Sequence, residues 1–99
     1  MKNNVLNPKT ILFSIRIIKL YRYLKEEKKE YEISKQLMRS GTAIGAFIRE
    51  AYFAESKADY IHKLHIALKE ANESDYWILL LKETEFISIL EYNSLLTDI

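Results

Sequence analysis

The chain has 99 residues, 48% of them hydrophobic, with two glycines, one proline and no cysteine. Such a composition predicts one compact domain spanning residues 1–99 and argues against disorder. Without cysteine, a disulfide framework, a thiolate nucleophile and a thiolate zinc site are excluded, in keeping with a cytoplasmic protein. The formal net charge of +1 hides an asymmetry, because residues 1–30 hold eight Lys or Arg against three Glu, while residues 31–99 hold seven against eleven acids. Any surface for a polyanion is therefore expected on the first helix.

The N-terminus lacks the apolar centre of a signal peptide, and no run reaches the ~18 apolar residues of a membrane span. Asn7-Pro8 has the form of a helix start, with Asn capping and Pro at the first helical position. Helix 1 is predicted from about Pro8 to about Lys29. Rotation by about 100° per residue places Phe13, Ile17, Leu20, Tyr21 and Leu24 on a core stripe, and Ile11, Ile15 and Ile18 on a second stripe about 140° away. A second apolar stripe on so small a protein predicts a neighbouring subunit that covers it. Lys9, Arg16, Lys19 and Arg22 wind around the helix outside the core stripe, with Lys25 and Lys28 at its end. These six are the candidate phosphate contacts, and Tyr21 and Tyr23 can stack on unpaired bases.

Ser34 is the expected cap of helix 2, which runs from about Lys35 to about Glu55 and faces inward with Leu37, Ser40, Gly41, Ile44, Ile48 and Ala51. Glycine inside a helix costs roughly 0.5 to 1 kcal/mol relative to alanine, so Gly41 and Gly45 predict a compensating close helix contact. Arg39 and Glu50 project from one side about three turns apart, each able to reach a facing helix or subunit and fix its register.

Ser56 and Asp59 form a capping-box pattern that opens helix 3, from about Lys57 to about Glu83. Tyr60, Leu64, Ala67, Leu68, Ala71 and Ile78 are its expected core positions, with Asp75 near the core side and in need of a partner. The segment from Tyr76 to Leu81 is apolar all round, which places Trp77, Leu80 and Leu81 in the expected oligomer interface. Asp59-x-x-His62 is the one approach to a di-metal helix motif, with His65 beside it. Lacking a second such helix, the chain is expected to hold no metal and no cofactor. Ser88 to Glu91 is a further capping box, opening a helix 4 that is short or truncated, with Leu95, Leu96 and Ile99 as its apolar positions. The elements add up to an all-α, antiparallel up-down-up-down four-helix bundle.

Ser34-x-Gln36-Leu37-x-Arg39-Ser40-Gly41-Thr42-x-Ile44-Gly45-Ala46, then Glu50-Ala51, Ser56-x-x-Asp59-Tyr60, Lys63-Leu64-x-Ile66-Ala67-Leu68-Lys69-Glu70-Ala71-x-Glu73 and Tyr76-Trp77, resembles the bacterial four-helix-bundle proteins encoded within intervening sequences of 23S rRNA genes. Phe47 and Arg49 depart from that pattern, standing where it has Asn and a small residue. The resemblance implies an antiparallel four-helix bundle assembling as a ring-like homopentamer. The wider group is similar to the accessory variability proteins of diversity-generating retroelements, which implies nucleic acid and a reverse transcriptase as partners.

No Gly-rich phosphate loop or partnered nucleophile and base is present, so the expected function is non-enzymatic. The leading expectation is an oligomeric bundle that binds structured RNA or a DNA–RNA intermediate through sequence-independent phosphate contacts. A protein-interaction scaffold is the alternative.

Overall fold

A computed structural model describes residues 8–99 as four helices: α1 Pro8–Glu26, α2 Ile33–Tyr52, α3 Lys57–Glu83 and α4 Ile89–Asp98. The expected Asn7 cap lies outside the described residues. No described helix is long and apolar enough to cross a membrane.

Local chemistry sets the helix ends. α1 stops short of Lys29 because that residue takes φ 58°, and the Glu30 N–H then turns back to the Leu24 carbonyl at 2.9 Å. The side chain that caps α2 is that of Glu30, where the sequence points to Ser34. Its carboxylate accepts from the backbone N–H groups of Glu32 at 3.2 Å, Ile33 at 2.9 Å and Ser34 at 2.6 Å. A carboxylate at the positive end of the helix dipole satisfies three N–H groups that lack intrahelical partners. Ser34 is instead buried, and its hydroxyl donates to the Glu30 carbonyl at 2.8 Å.

α3 opens as expected, with the Ser56 hydroxyl accepting from the Asp59 N–H at 3.0 Å. It closes in a Schellman turn: Phe86 N–H donates to the Leu81 carbonyl at 2.9 Å and Glu85 N–H to the Lys82 carbonyl at 3.0 Å, with Glu85 at φ 64°. Phe86 packs on the core that Leu81 belongs to, which is the apolar contact such turns favour. The Ser88 capping box is complete, since its hydroxyl accepts from Glu91 N–H at 3.1 Å and the Glu91 carboxylate accepts from Ser88 N–H at 2.8 Å. α4 is ten residues long.

α2 packs against both α1 and α3, and α4 packs against α3. On α2, Gly41 lies against Ile17 and Gly45 against Thr10, so α1 and α2 run in opposite senses. A Cβ at Gly41 would sit 3.0 Å from Ile17 Cγ2, so the glycine is what lets the two backbones approach. Between α2 and α3 the buried Ser40 and Ser74 hydroxyls hydrogen-bond at 2.8 Å. Around these contacts, Phe13, Ile17, Leu24, Leu37, Ile78, Leu81, Ile87 and Leu95 form one core.

The buried stripe of α3 differs from the sequence expectation. Ala67, Ser74, Ile78 and Leu81 are buried, whereas Tyr60, Leu68 and Asp75 are exposed. At about 100° per residue the helix is rotated by about 50° from the predicted orientation. Small side chains at Ala67 and Ser74 face α2 and admit it closely, and the Ser40 hydroxyl satisfies the Ser74 hydroxyl that burial removes from water. Asp75 accordingly stands in solvent.

Candidate functional site

The outer side and C-terminal end of α1 carry the basic residues, but the helix does not present them as one patch. Arg16 is engaged inside the fold: its guanidinium donates to Asp98 Oδ2 at 2.8 Å, to Ser94 Oγ at 2.8 Å and to the Ser94 carbonyl at 3.3 Å. That arrangement pins α4 alongside α1, so Arg16 is a structural clamp and does not belong with the candidate phosphate contacts. Lys9 is exposed at the start of α1, beside a cleft it shares with Phe13, Asp98 and Ile99. Lys19 and Arg22 are exposed. Lys25 lies 5.4 Å from the centre of the Tyr21 ring, and Lys28 lies 5.9 Å from that of Tyr23. Tyr23 is itself exposed, so cation and aromatic face reach solvent together at this end of the bundle.

The second apolar stripe of α1 is open, with Ile11 46% and Ile15 42% exposed, while Ile18 is half-buried. A groove of about 350 Å³ runs beside it between α1 and α2, lined by Ile11, Ser14, Ile15, Gly45, Ala46 and Arg49. On the other side of Arg49, a second depression of about 500 Å³ between α2 and α3 includes the exposed ring of Phe53.

For helix 3 the interface expectation needs correction. Leu81 is fully buried in the core of its own chain and has no surface to offer a neighbour. Leu80 is half-buried, and Trp77 lies half-buried on the flank of the same core. Within this segment Ile78 and Leu81 are buried, Trp77, Leu79 and Leu80 are half-buried, and Tyr76 is exposed. The open aliphatic residues of α3 lie nearer its start, at Ile61 and Leu68. Their seven-residue separation was the available signal, and it was missed because Leu68 was itself assigned to the predicted core stripe.

Arg39 and Glu50 both reach α3. The Arg39 guanidinium pairs with Glu70 at 3.1 Å and Glu73 at 2.7 Å, and Lys63 pairs with Glu50 at 3.3 Å. Trp77 Nε1 donates to the same Glu73 carboxylate at 2.9 Å. That indole N–H, and then Arg39, hold the Glu73 carboxyl below the usual carboxylate range. Glu73, and then Glu70, raise Arg39 in turn. Together with Gly41 and Gly45 these residues lie along the helix pairs that α2 joins. Chemically the network is a positioning device, since each charged group in it lies against one of opposite sign and Glu70 and Glu73 share the Arg39 guanidinium.

His62 and His65 are exposed, and Asp59 is occupied at the start of α3, where its carboxylate faces the Glu55 N–H at 3.4 Å. Among the described residues no group of three or more His, Cys, Asp or Glu side chains is placed to hold a metal ion.

No protein of curated function matches the chain. Among solved structures it is similar to the crystal structure of a protein with unknown function from the S23 ribosomal protein family of Bacteroides thetaiotaomicron VPI-5482. The two share 54% identity with a TM-score of 0.93, over 99% of this chain and 88% of that one. The family model for the 23S rRNA-intervening sequence protein matches residues 2–99. With four helices in a bundle, and a match that runs through nearly its whole length, the chain belongs to the 23S rRNA-intervening sequence protein family.

Proposed function

We propose that this protein is a non-enzymatic homo-oligomer, a homopentamer by family resemblance, that binds structured RNA or a DNA–RNA intermediate in the cytoplasm through phosphate contacts. The observation that carries the reading is the placement of Lys19, Arg22, Lys25 and Lys28 on the exposed side and end of α1, with Lys28 over the exposed Tyr23 ring. One subunit offers only a modest basic surface. Repetition around an oligomer turns it into a multivalent one, which raises avidity without a new type of contact. Arg16 contributes through the fold, by holding α4, and not through phosphate.

Fluorescence anisotropy with a structured RNA and a DNA duplex at two salt concentrations tests the reading. Binding should weaken steeply with salt, by about 0.9 in the log–log slope for each duplex-DNA phosphate neutralised. The Lys19→Glu/Lys28→Glu variant should bind at least about tenfold more weakly, since each exposed pair of reversed charges removes and repels phosphate contacts. A confirmed oligomer that binds neither nucleic acid at low salt overturns the proposal.

One observation favours a second reading, a scaffold for a protein partner such as a reverse transcriptase. Arg49 stands between two grooves with Ile11, Ile15 and Phe53 exposed around it. Arginine flanked by exposed apolar and aromatic side chains is the composition of energetic centres in protein interfaces. Arg49→Glu abolishing capture of a protein partner, with RNA affinity unchanged, would select this reading.

A further inference from the structure

We propose that copies of this chain join head to tail through two different open seams, α1 of one copy lying parallel to α3 of the next. The inference rests on the homo-oligomer reading above and names the surfaces that make the contact. On α1 the outward positions Ile11, Ile15, Ile18, Arg22 and Lys25 follow alternating steps of four and three residues. On α3 the positions Ile61, His65, Leu68, Asn72 and Asp75 follow the same steps in the same phase. Such spacing keeps a stripe in line along a helix packed against another helix. All ten are at least partly solvent-exposed; Ile11, Ile15, Ile61 and Leu68 are exposed by 46%, 42%, 44% and 58%.

Register follows from the chemistry. With the helices parallel and each α1 position opposite the α3 position fifty residues later, Ile11 meets Ile61 and Ile18 meets Leu68. Ile15 meets the His65 ring, Arg22 meets Asn72 and Lys25 meets Asp75, so two of the three isoleucine layers fall on aliphatic side chains and the Lys25 cation falls on a carboxylate. The contact runs about 21 Å, at 1.5 Å per residue. Other pairings lose this match. Two α1 seams laid parallel stack Arg22 on Arg22 and Lys25 on Lys25, and two parallel α3 seams stack Asp75 on Asp75. Antiparallel α1 seams set Ile11 against Lys25 and Ile15 against Arg22. The antiparallel α1–α3 alternative that joins Ile15 to Leu68 leaves Arg22 opposite Ile61.

Gly45 and Ala46 border the α1 seam across the groove, so small side chains flank the place where the partner helix approaches. Because the two seams differ, the contact is heterologous and propagates until a ring closes. Arg22 and Lys25 are drawn into assembly, while Lys19 and Lys28 lie off the seam and are the cations that the oligomer keeps for phosphate.

The chain has no cysteine of its own, which permits a direct test. Arg22→Cys and Asn72→Cys each leave the apolar layers intact. Under mild oxidation the double variant should give a ladder of cross-linked species on a non-reducing gel, ending at the size of the ring, and each single variant should stay uncross-linked. Lys25→Glu should weaken assembly at least about tenfold, and adding Asp75→Lys should restore it. Self-cross-linking by either single variant, or an oligomer in light scattering that gives no ladder, overturns the pairing and leaves the oligomer reading in place. A monomer at micromolar concentration for the unmodified protein overturns both.

Discussion

Gly41 is the residue at which backbone chemistry and packing meet most tightly. Alanine there would gain the roughly 0.5 to 1 kcal/mol of helix propensity that glycine forgoes, but its Cβ would stand 3.0 and 3.1 Å from two carbons of the fully buried Ile17. Overpacking a filled core costs about 1–3 kcal/mol, so Gly41→Ala is expected to lower stability by about 1 kcal/mol or more in a urea titration. Glu73 offers a test with pH. Its carboxyl is held low in the folded state, so its contribution is present above the usual carboxylate range and fades as pH falls through the lowered value. Glu73→Gln should therefore lose stability at neutral pH, and the deficit should shrink toward acid pH. The Arg39 and Glu73 side chains are 53% and 36% exposed, which limits the neutral-pH loss to about 1 kcal/mol or less. The close contact at Gly41 was legible in the sequence, because two glycines in one helix demand it. Ser74 was not legible as a core residue, since its hydroxyl is satisfied by Ser40, 34 positions away.

Helix ends divide in the same manner between local and distant causes. Ser56 and Ser88 were readable as caps because each satisfies an N–H three residues on. Glu30 was not, because it caps α2 from outside the helix, through a turn that depends on Lys29 at φ 58°. Since its carboxylate accepts from three backbone N–H groups, Glu30→Ala should cost about 1 kcal/mol, with amide exchange accelerated at Glu32, Ile33 and Ser34. Hydrophobic periodicity placed the buried sides of α1 and α2 well, where aliphatic residues define them. On α3 it misjudged the rotation, because apolar residues occur on most sides of that helix and two small residues, Ala67 and Ser74, choose which one faces α2.

Across the whole molecule, the bundle spans 43 × 21 × 21 Å and leaves large apolar residues open on α1, α3 and α4. Family and helix content were legible from the motif in α2 and α3, since the demands of close packing fix residue types at fixed spacings. The candidate surface was legible only in part. Charge counting found the basic bias of α1, but only the fold reveals that Arg16 is spent on Asp98 and Ser94, and that Leu81 is buried within its own chain. Both the multivalent basic surface and the seams on α1 and α3 require more than one copy. Size exclusion with light scattering at micromolar concentration tests that requirement most directly. The expected result is a mass several times the 11.7 kDa of one chain, fivefold for the homopentamer, whereas a particle of 11.7 kDa would contradict the account.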